Sequence, residues 1–251
     1  MKFIACQIII LGFAVVSAFA QNGTAAGPAE QTKASTLRTE SKKGPSELAN
    51  ATLAAHGGKG LKDIKSLVIR GTVNVTTSAF NQALPSTFYT VIAGDRYNFE
   101  INNPLQPLKQ IFDGRSLYSS IQGFSLPPIT SLGFPLLPRI GDSGYTISAL
   151  TNANEKKNGF RITTPEGYYT DFFVDPKTSL IKGYESSYLY DGKTISTSVV
   201  VDRCRLVDGV LVPEKYSQRF DLGQLTAYAE FSAKQILVNS KVEDDVFTIP
   251  K

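Results

Sequence analysis

The sequence predicts a mainly β protein, an antiparallel sheet or barrel with one short helix near its N-terminus. Two observations predict the strands: apolar and polar residues alternate in short runs from Leu67 onward, and Gly94-Asp95, Asp113-Gly114, Asp191-Gly192 and Asp208-Gly209 separate those runs with turn chemistry. A third limits the helix, because only Glu47 to His56 carries a helical stripe. Helix confined to that segment disfavours parallel βαβ architectures and favours an antiparallel sheet or barrel.

At the N-terminus, Lys2 precedes an apolar run from Phe3 to Val16, then Ser17-Ala18-Phe19-Ala20 and polar Gln21. This is the layout of a secretory signal peptide over residues 1–20, with Ala18-Phe19-Ala20 as the cleavage site. The apolar run is shorter than the roughly 20 residues that span a bilayer, so no transmembrane segment is expected after cleavage. Cys6 lies inside the run and is not the lipidated first residue of a mature lipoprotein. Removing residues 1–20 leaves 25 Lys and Arg against 22 Asp and Glu, too mild a balance for a nucleic-acid partner. Cys204 is then the only cysteine, so stability must come from a packed core. Its place in the run Val199 to Cys204 predicts a small buried side chain rather than a reactive thiol.

Residues 21–45, rich in Ala, Gly, Thr, Ser, Lys and Glu without apolar periodicity, predict a disordered tether. A single β domain is expected over 46–251. Ser46 is placed to cap a helix from Glu47 to His56, and Gly57-Gly58 to stop it. Leu61 and Ile64 then lead into a strand in which Leu67, Ile69, Gly71, Val73 and Val75 face one side and Val68, Arg70, Thr72, Asn74 and Thr76 the other. Ser86 to Ala93, Arg96 to Ile101, Lys109 to Asp113 and Ser116 to Ile121 continue the pattern. From Tyr168 to Pro250 the chain reads as one antiparallel meander, with Asp-Pro-Lys-Thr at 175–178 as a further turn. Glu243-Asp244-Asp245 opens a last turn, after which Val246, Phe247 and Ile249 tuck the chain end into the core.

The stretch from Phe124 to Ile140 breaks this order. Pro127, Pro128, Pro135 and Pro138 forbid a central strand or a regular helix, yet Phe124, Leu126, Ile129, Leu132, Phe134, Leu136 and Leu137 are apolar and must bury themselves. Such a loop is either a lid across an apolar cavity or a segment packed permanently over the open face of the sheet.

Catalytic constellations are scarce. His56 is the only histidine and, at a helix end, reads as a capping or solvent-facing residue. One histidine and one cysteine do not supply a zinc site, and the acidic trio at 243–245 lacks the spaced oxygen ligands of a calcium loop. Glu166, Asp171, Asp175 and Glu185 could include a pair across the sheet. With no metal or cofactor implied, the expected activity is binding without chemistry. Aromatic residues crowd the strands: Tyr168, Tyr169, Phe172, Phe173, Tyr184, Tyr188, Tyr190, Tyr216, Phe220, Tyr228 and Phe231 on the C-terminal meander, and Phe88, Tyr89, Tyr97 and Phe99 on the N-terminal one. One short helix does not cover the inner face of a sheet this large, which must close, fold over or leave an apolar groove.

Leu53-Ala54-Ala55-His56-Gly57-Gly58, Leu61 to Ser66 and the strand through Gly71 resemble the opening of bacterial outer-membrane lipoprotein-sorting proteins of the LolA/LolB-like class. Phe173 to Ile181, Asp202 to Pro213, Ile236 to Asn239 and Asp245 to Pro250 continue the resemblance in order. It implies an unclosed β half-barrel with a helical cover, periplasmic, whose apolar concave face carries lipid or lipoprotein acyl chains. The covering helices are reduced here to Glu47 to His56, and the proline-rich loop has no counterpart in that class. The residues expected to meet the ligand are Phe88, Tyr97, Phe99, Phe124, Leu126, Ile129, Leu132, Phe134, Leu136 and Leu137. An envelope protein is the alternative partner, bound as by an interaction or stress-sensing module on the same scaffold.

Overall fold

The computed structural model describes residues 43–78, 80–104, 107–121, 127–151, 154–190, 193–221 and 226–250. The expected signal peptide and all but the last residues of the expected tether lie outside them, as do Phe124, Leu126 and the turn at 191–192. Helix α1 spans Pro45–Ala55 and α2 spans Lys59–Lys62. The strands are β1 Leu67–Thr77, β2 Phe80–Ala93, β3 Arg96–Asn102, β4 Leu108–Phe112, β5 Leu117–Ser119, β6 Thr146–Ser148, β7 Gly159–Thr163, β8 Tyr169–Val174, β9 Ile181–Tyr190, β10 Lys193–Val207, β11 Val210–Asp221 and β12 Thr226–Val238.

The strands form one antiparallel sheet in the order β5-β4-β3-β2-β1-β12-β11-β10-β9-β8-β7-β6. Every neighbour is also a neighbour in sequence except β1 and β12, which pair from Leu67–Val238 to Thr77–Ala227. The chain is thus a circular meander cut open between β5 and β6. The cut falls where the proline-rich stretch runs: proline has no N–H for a ladder, so this connection leaves the sheet rather than closing it. Both free edges are only three residues long, which limits unpaired backbone.

Local chemistry sets the turns. Asp208 (φ 48°) and Gly209 (φ 80°) both adopt the left-handed conformation of a tight hairpin between β10 and β11. Asp175 Oδ1 accepts from the backbone N–H groups of Lys177 and Thr178, and those bonds hold its carboxyl below the ordinary range. At β1 the register shifts between Arg70 and Gly71, and a Cβ at Gly71 would lie 2.1 Å from the Ser232 carbonyl. Only glycine permits so close a pairing.

Several local expectations are corrected. Helix α1 begins at Pro45 with Gly44 as its N-cap, so Ser46 lies inside the first turn and does not cap it. Proline at the first helical position has the required φ and lacks an N–H that would be unsatisfied there. Between Gly57-Gly58 and β1 the chain forms the extra turn α2 instead of passing straight into the strand. His56 sits at the α1 C-cap but is fully buried rather than solvent-facing. Its Nδ1 lies 2.9 Å from the Thr52 carbonyl, and its own carbonyl accepts from Leu211 N–H, tying the helix to the β10–β11 hairpin.

The sheet buries apolar residues on both faces. The inner face carries the main core, including Val73, Phe88, Phe160, Ile162, Phe172, Val199, Val212 and Phe231, on which α1 packs through Leu48, Ala49 and Leu53 against β6 and β7. On the outer face Val68, Val91 and Ile111 pack beneath Phe247, with Val242, Val246 and Ile249 around them. The chain end is therefore buried in a second core, and Val68 is buried on the face expected to be polar. Asn98 Nδ2 donates to the Val246 carbonyl at 3.0 Å and Arg96 stacks over the Phe247 ring, fixing the tail in place.

Candidate ligand cavity

The inner face keeps a cavity of about 350 Å³ whose walls come from β1–β4, from β9–β12 and from the segment 127–135. In a flat sheet β4 and β9 would stand roughly 34 Å apart. That Gln110 on β4 and Tyr184 on β9 line one cavity shows how strongly the sheet curves. The walls are mainly Leu, Ile, Val, Phe, Pro and Ala, with Thr90, Asn103, Gln110, Ser186, Thr197, Gln218 and three tyrosines as polar exceptions. Among the described lining residues there is no Asp, Glu, His, Cys, Lys or Arg.

The proline-rich segment forms the roof. Residues Ile129–Ser131 and Phe134–Arg139 make two 3₁₀ turns, the helical form open to a chain with proline inside it. Between them Gly133 takes φ 64°, and a Cβ there would lie 2.5 Å from the Tyr184 ring. Glycine is required both for the backbone angle and for the close approach. Its N–H donates to Thr170 Oγ1 at 3.0 Å, and Thr170 in turn hydrogen-bonds Ser186 at 2.7 Å. Farther along, Lys62 Nζ donates to the Ile140 carbonyl at 2.7 Å and Arg139 pairs with Asp95.

The segment divides the expected ligand-meeting residues. Ile129, Leu132 and Phe134 line the cavity, as does Phe99 from β3. Leu136 and Leu137 are completely buried in the main core, behind the wall rather than on it. Phe88, edge-to-face with Phe231 at 5.0 Å, and Tyr97, beside Phe112, are likewise sealed by cross-strand packing and do not line the cavity. The aromatic residues that do line it from the far side are Tyr184, Tyr188, Tyr216, Phe220 and Phe231. The density of aromatics on the C-terminal meander points to that side of the molecule, but Tyr168, Tyr169, Phe172, Phe173 and Tyr228 belong to the same run and do not line the cavity.

Burial pushes the phenols of Tyr184, Tyr188 and Tyr216 well above their ordinary range, so they stay protonated and serve as neutral surfaces, not as bases. The carboxylate pair sought in the sequence exists, since Asp171 and Glu185 oppose each other across β8 and β9, but it lies on the outer face. Arg161 binds Asp171 in bidentate fashion at 2.6 and 2.9 Å, and Asn154 Nδ2 donates to both carboxylates. The pair is consumed by these contacts and is remote from the cavity. Cys204 is half-buried; burial and then the Glu214 charge push its thiol up, away from the reactive thiolate. No group of three or more potential ligating side chains able to hold a metal occurs among the described residues.

A second, larger recess of about 660 Å³ lies on the other side of Phe134 and Pro135, bounded by α1, α2 and Arg139. Its wall is more polar than that of the first, and its charges are largely paired: Lys59 with Asp63, Lys62 with Asp142, and Arg139 with Asp95 and Asp142. Of the two, the apolar cavity is the better candidate for a ligand, because a concave, mostly apolar wall with few polar groups is what small-molecule sites share. No helix among the described residues is long and apolar enough to cross a membrane.

No family model and no curated protein matches the sequence. Among solved structures, the chain is similar to a DUF1329 family protein from Desulfovibrio piger at 9% identity, with 82% of this chain and 98% of that one covered and a TM-score of 0.48. It is also similar to a LolA superfamily protein from Nitrosomonas europaea at 12% identity, over 79% of this chain and 97% of that one, with a TM-score of 0.48.

Proposed function

We propose that the protein is an exported, periplasmic binder of lipid or lipoprotein acyl chains, acting without chemistry through the apolar cavity on the inner face of its sheet. The observation that carries this reading is the wall itself: a concave, curved apolar surface whose described lining residues include no carboxylate, imidazole, thiol or basic side chain. Hydrocarbon moved from water into such a site gains roughly 25 cal/mol per Å² of apolar surface buried, without any polar group having to be matched. Export follows from the signal-peptide layout at 1–20.

The test is native mass spectrometry of the protein purified gently from an exporting bacterial host, followed by organic extraction. A stoichiometric phospholipid or acylated peptide supports the carrier reading. A bare mass that stays unchanged on adding lipids removes it and leaves a groove for an envelope polypeptide as the better account.

A further inference from the structure

One side chain in the cavity is out of keeping with its walls. Gln110 projects from β4 into the inner face, between Phe99 of β3 and Ser119 of β5 in the register, and is fully buried. Both its Nε2 and its Oε1 lack a hydrogen-bond partner among the described residues. Whether the amide is drawn one way round or the other does not matter, since both ends are unpartnered. The polar groups on the opposite wall are different: Gln218 Nε2 donates to Thr197 Oγ1 at 3.0 Å, and Ser186 is paired with Thr170. An unpartnered primary amide in an apolar wall is costly, and a leucine there would complete the surface at no such cost. The neighbouring Leu108, on the same face of the same strand, shows that the strand accepts one.

Resting on the acyl-chain reading of the cavity, we infer that Gln110 selects the polar head of the bound chain and that this head carries a hydrogen-bond donor as well as an acceptor. The amide supplies N–H donors and one carbonyl acceptor. A plain ester offers acceptors only and would leave Oε1 unpaired. An acyl chain joined through a secondary amide, or bearing a hydroxyl near its carbonyl, offers both and satisfies the glutamine at each end. Sites built around a buried polar pair discriminate strongly against an analogue that lacks one partner, because the site's own group is then stranded. Gln110 is accordingly a specificity-determining residue for the class of lipid carried.

Protein from the exporting host, stripped of co-purifying lipid, is titrated by displacement of a fluorescent naphthylamine with three probes of equal chain length: N-methylpalmitamide, methyl 3-hydroxypalmitate and methyl palmitate. The expected result is that at least one donor-bearing probe binds about tenfold more tightly than methyl palmitate, and that Gln110→Leu abolishes the gap. The two donor-bearing arms tell an amide source from a hydroxyl source. Equal affinities for all three probes, or a gap that survives Gln110→Leu, overturns the inference while leaving the acyl-chain reading intact. Binding of none of the three removes both. Thermal melting of the stripped protein is the second readout: Gln110→Leu is expected to raise the melting temperature, whereas a fall shows that the amide is part of the folded frame and overturns its assignment to a ligand.

Discussion

On the outer face, residues 242–249 lie over Val68, Val91 and Ile111 and leave none of the three more than 5% exposed. On the inner face α1 and the segment 127–140 cover a much wider surface and leave the cavity between β1–β4 and β9–β12. Both covers are short and rich in apolar residues, so composition does not separate them. What separates them is the area to be covered. The outer patch is four strands wide and is matched by one 3₁₀ turn, whereas the inner face curves through the whole sheet and outruns its cover. The cavity is the uncovered remainder, and its position follows from where the roof is pinned: Gly133 to Thr170, Ile140 to Lys62, Arg139 to Asp95.

That pinning decides what a charge in the roof should do. Leu136→Asp is expected to cost about 5 kcal/mol, because it buries a carboxylate in the main core. Urea unfolding checks it. The loss should be one of stability first, with ligand binding failing only as the fold fails. A variant that stays stable while binding collapses would make the segment a mobile lid and break the comparison with the outer cover. The next largest effect belongs to that outer cover. Phe247→Ala should cost about 3 kcal/mol by opening the second core, yet leave acyl-probe affinity unchanged below the melting transition. Weaker binding at full occupancy of the fold would mean that the two faces are coupled through β1 and β2.

A smaller effect comes from His56, where the two covers differ in chemistry. It stands behind the roof, edge-to-face with Phe134 at 6.0 Å, its Nε2 without a partner among the described residues. Burial lowers its pKa below 6.5, with the Thr52 carbonyl opposing. The folded state therefore binds the proton less well than the unfolded state. Stability is fully present above about pH 6.5 and declines as the pH falls below it, by at most about 1.4 kcal/mol per pH unit. Melting curves from pH 7.5 to 5 should show this slope in the wild type, and His56→Gln should reduce it. An unchanged slope in the variant would assign the acid sensitivity to carboxylates instead.

Much of the frame was legible in the sequence, and the reasons differ by element. Alternation marked β1, and turn chemistry helped to mark β3, β10 and β11, which have Gly-Asp or Asp-Gly at an end. The alternation of β2 is clear only from Ser86, six residues after the strand begins, since Asn81, Gln82 and Pro85 interrupt its pattern. The ladder to β1 nevertheless continues through Pro85, opposite Asn74. Burial of the roof was legible from its leucines and prolines together. Which of its residues meet the cavity was not, since Leu132 and Leu136 look alike in sequence and differ only through the seat of Gly133 on Tyr184. Gln110 was illegible for a related reason: a polar residue in a five-residue strand reads as solvent-facing until the opposite wall is in place.

The most direct comparison of the two faces is a pair of substitutions at buried strand positions. Ala229, on β12, is buried and borders the cavity; Val91, on β2, is buried beneath the tail with no cavity beside it. Ala229→Leu places its added carbons in existing space, so stability should hold or rise by up to about 1 kcal/mol while acyl-probe affinity falls about tenfold. Val91→Phe has no such space and should cost about 2 kcal/mol with affinity unchanged. If the two substitutions behaved alike, both destabilising, the inner space would be too tight to admit a chain without rearrangement of the roof. The opposite responses of two buried strand positions are what a ligand cavity on one face and a filled core on the other require.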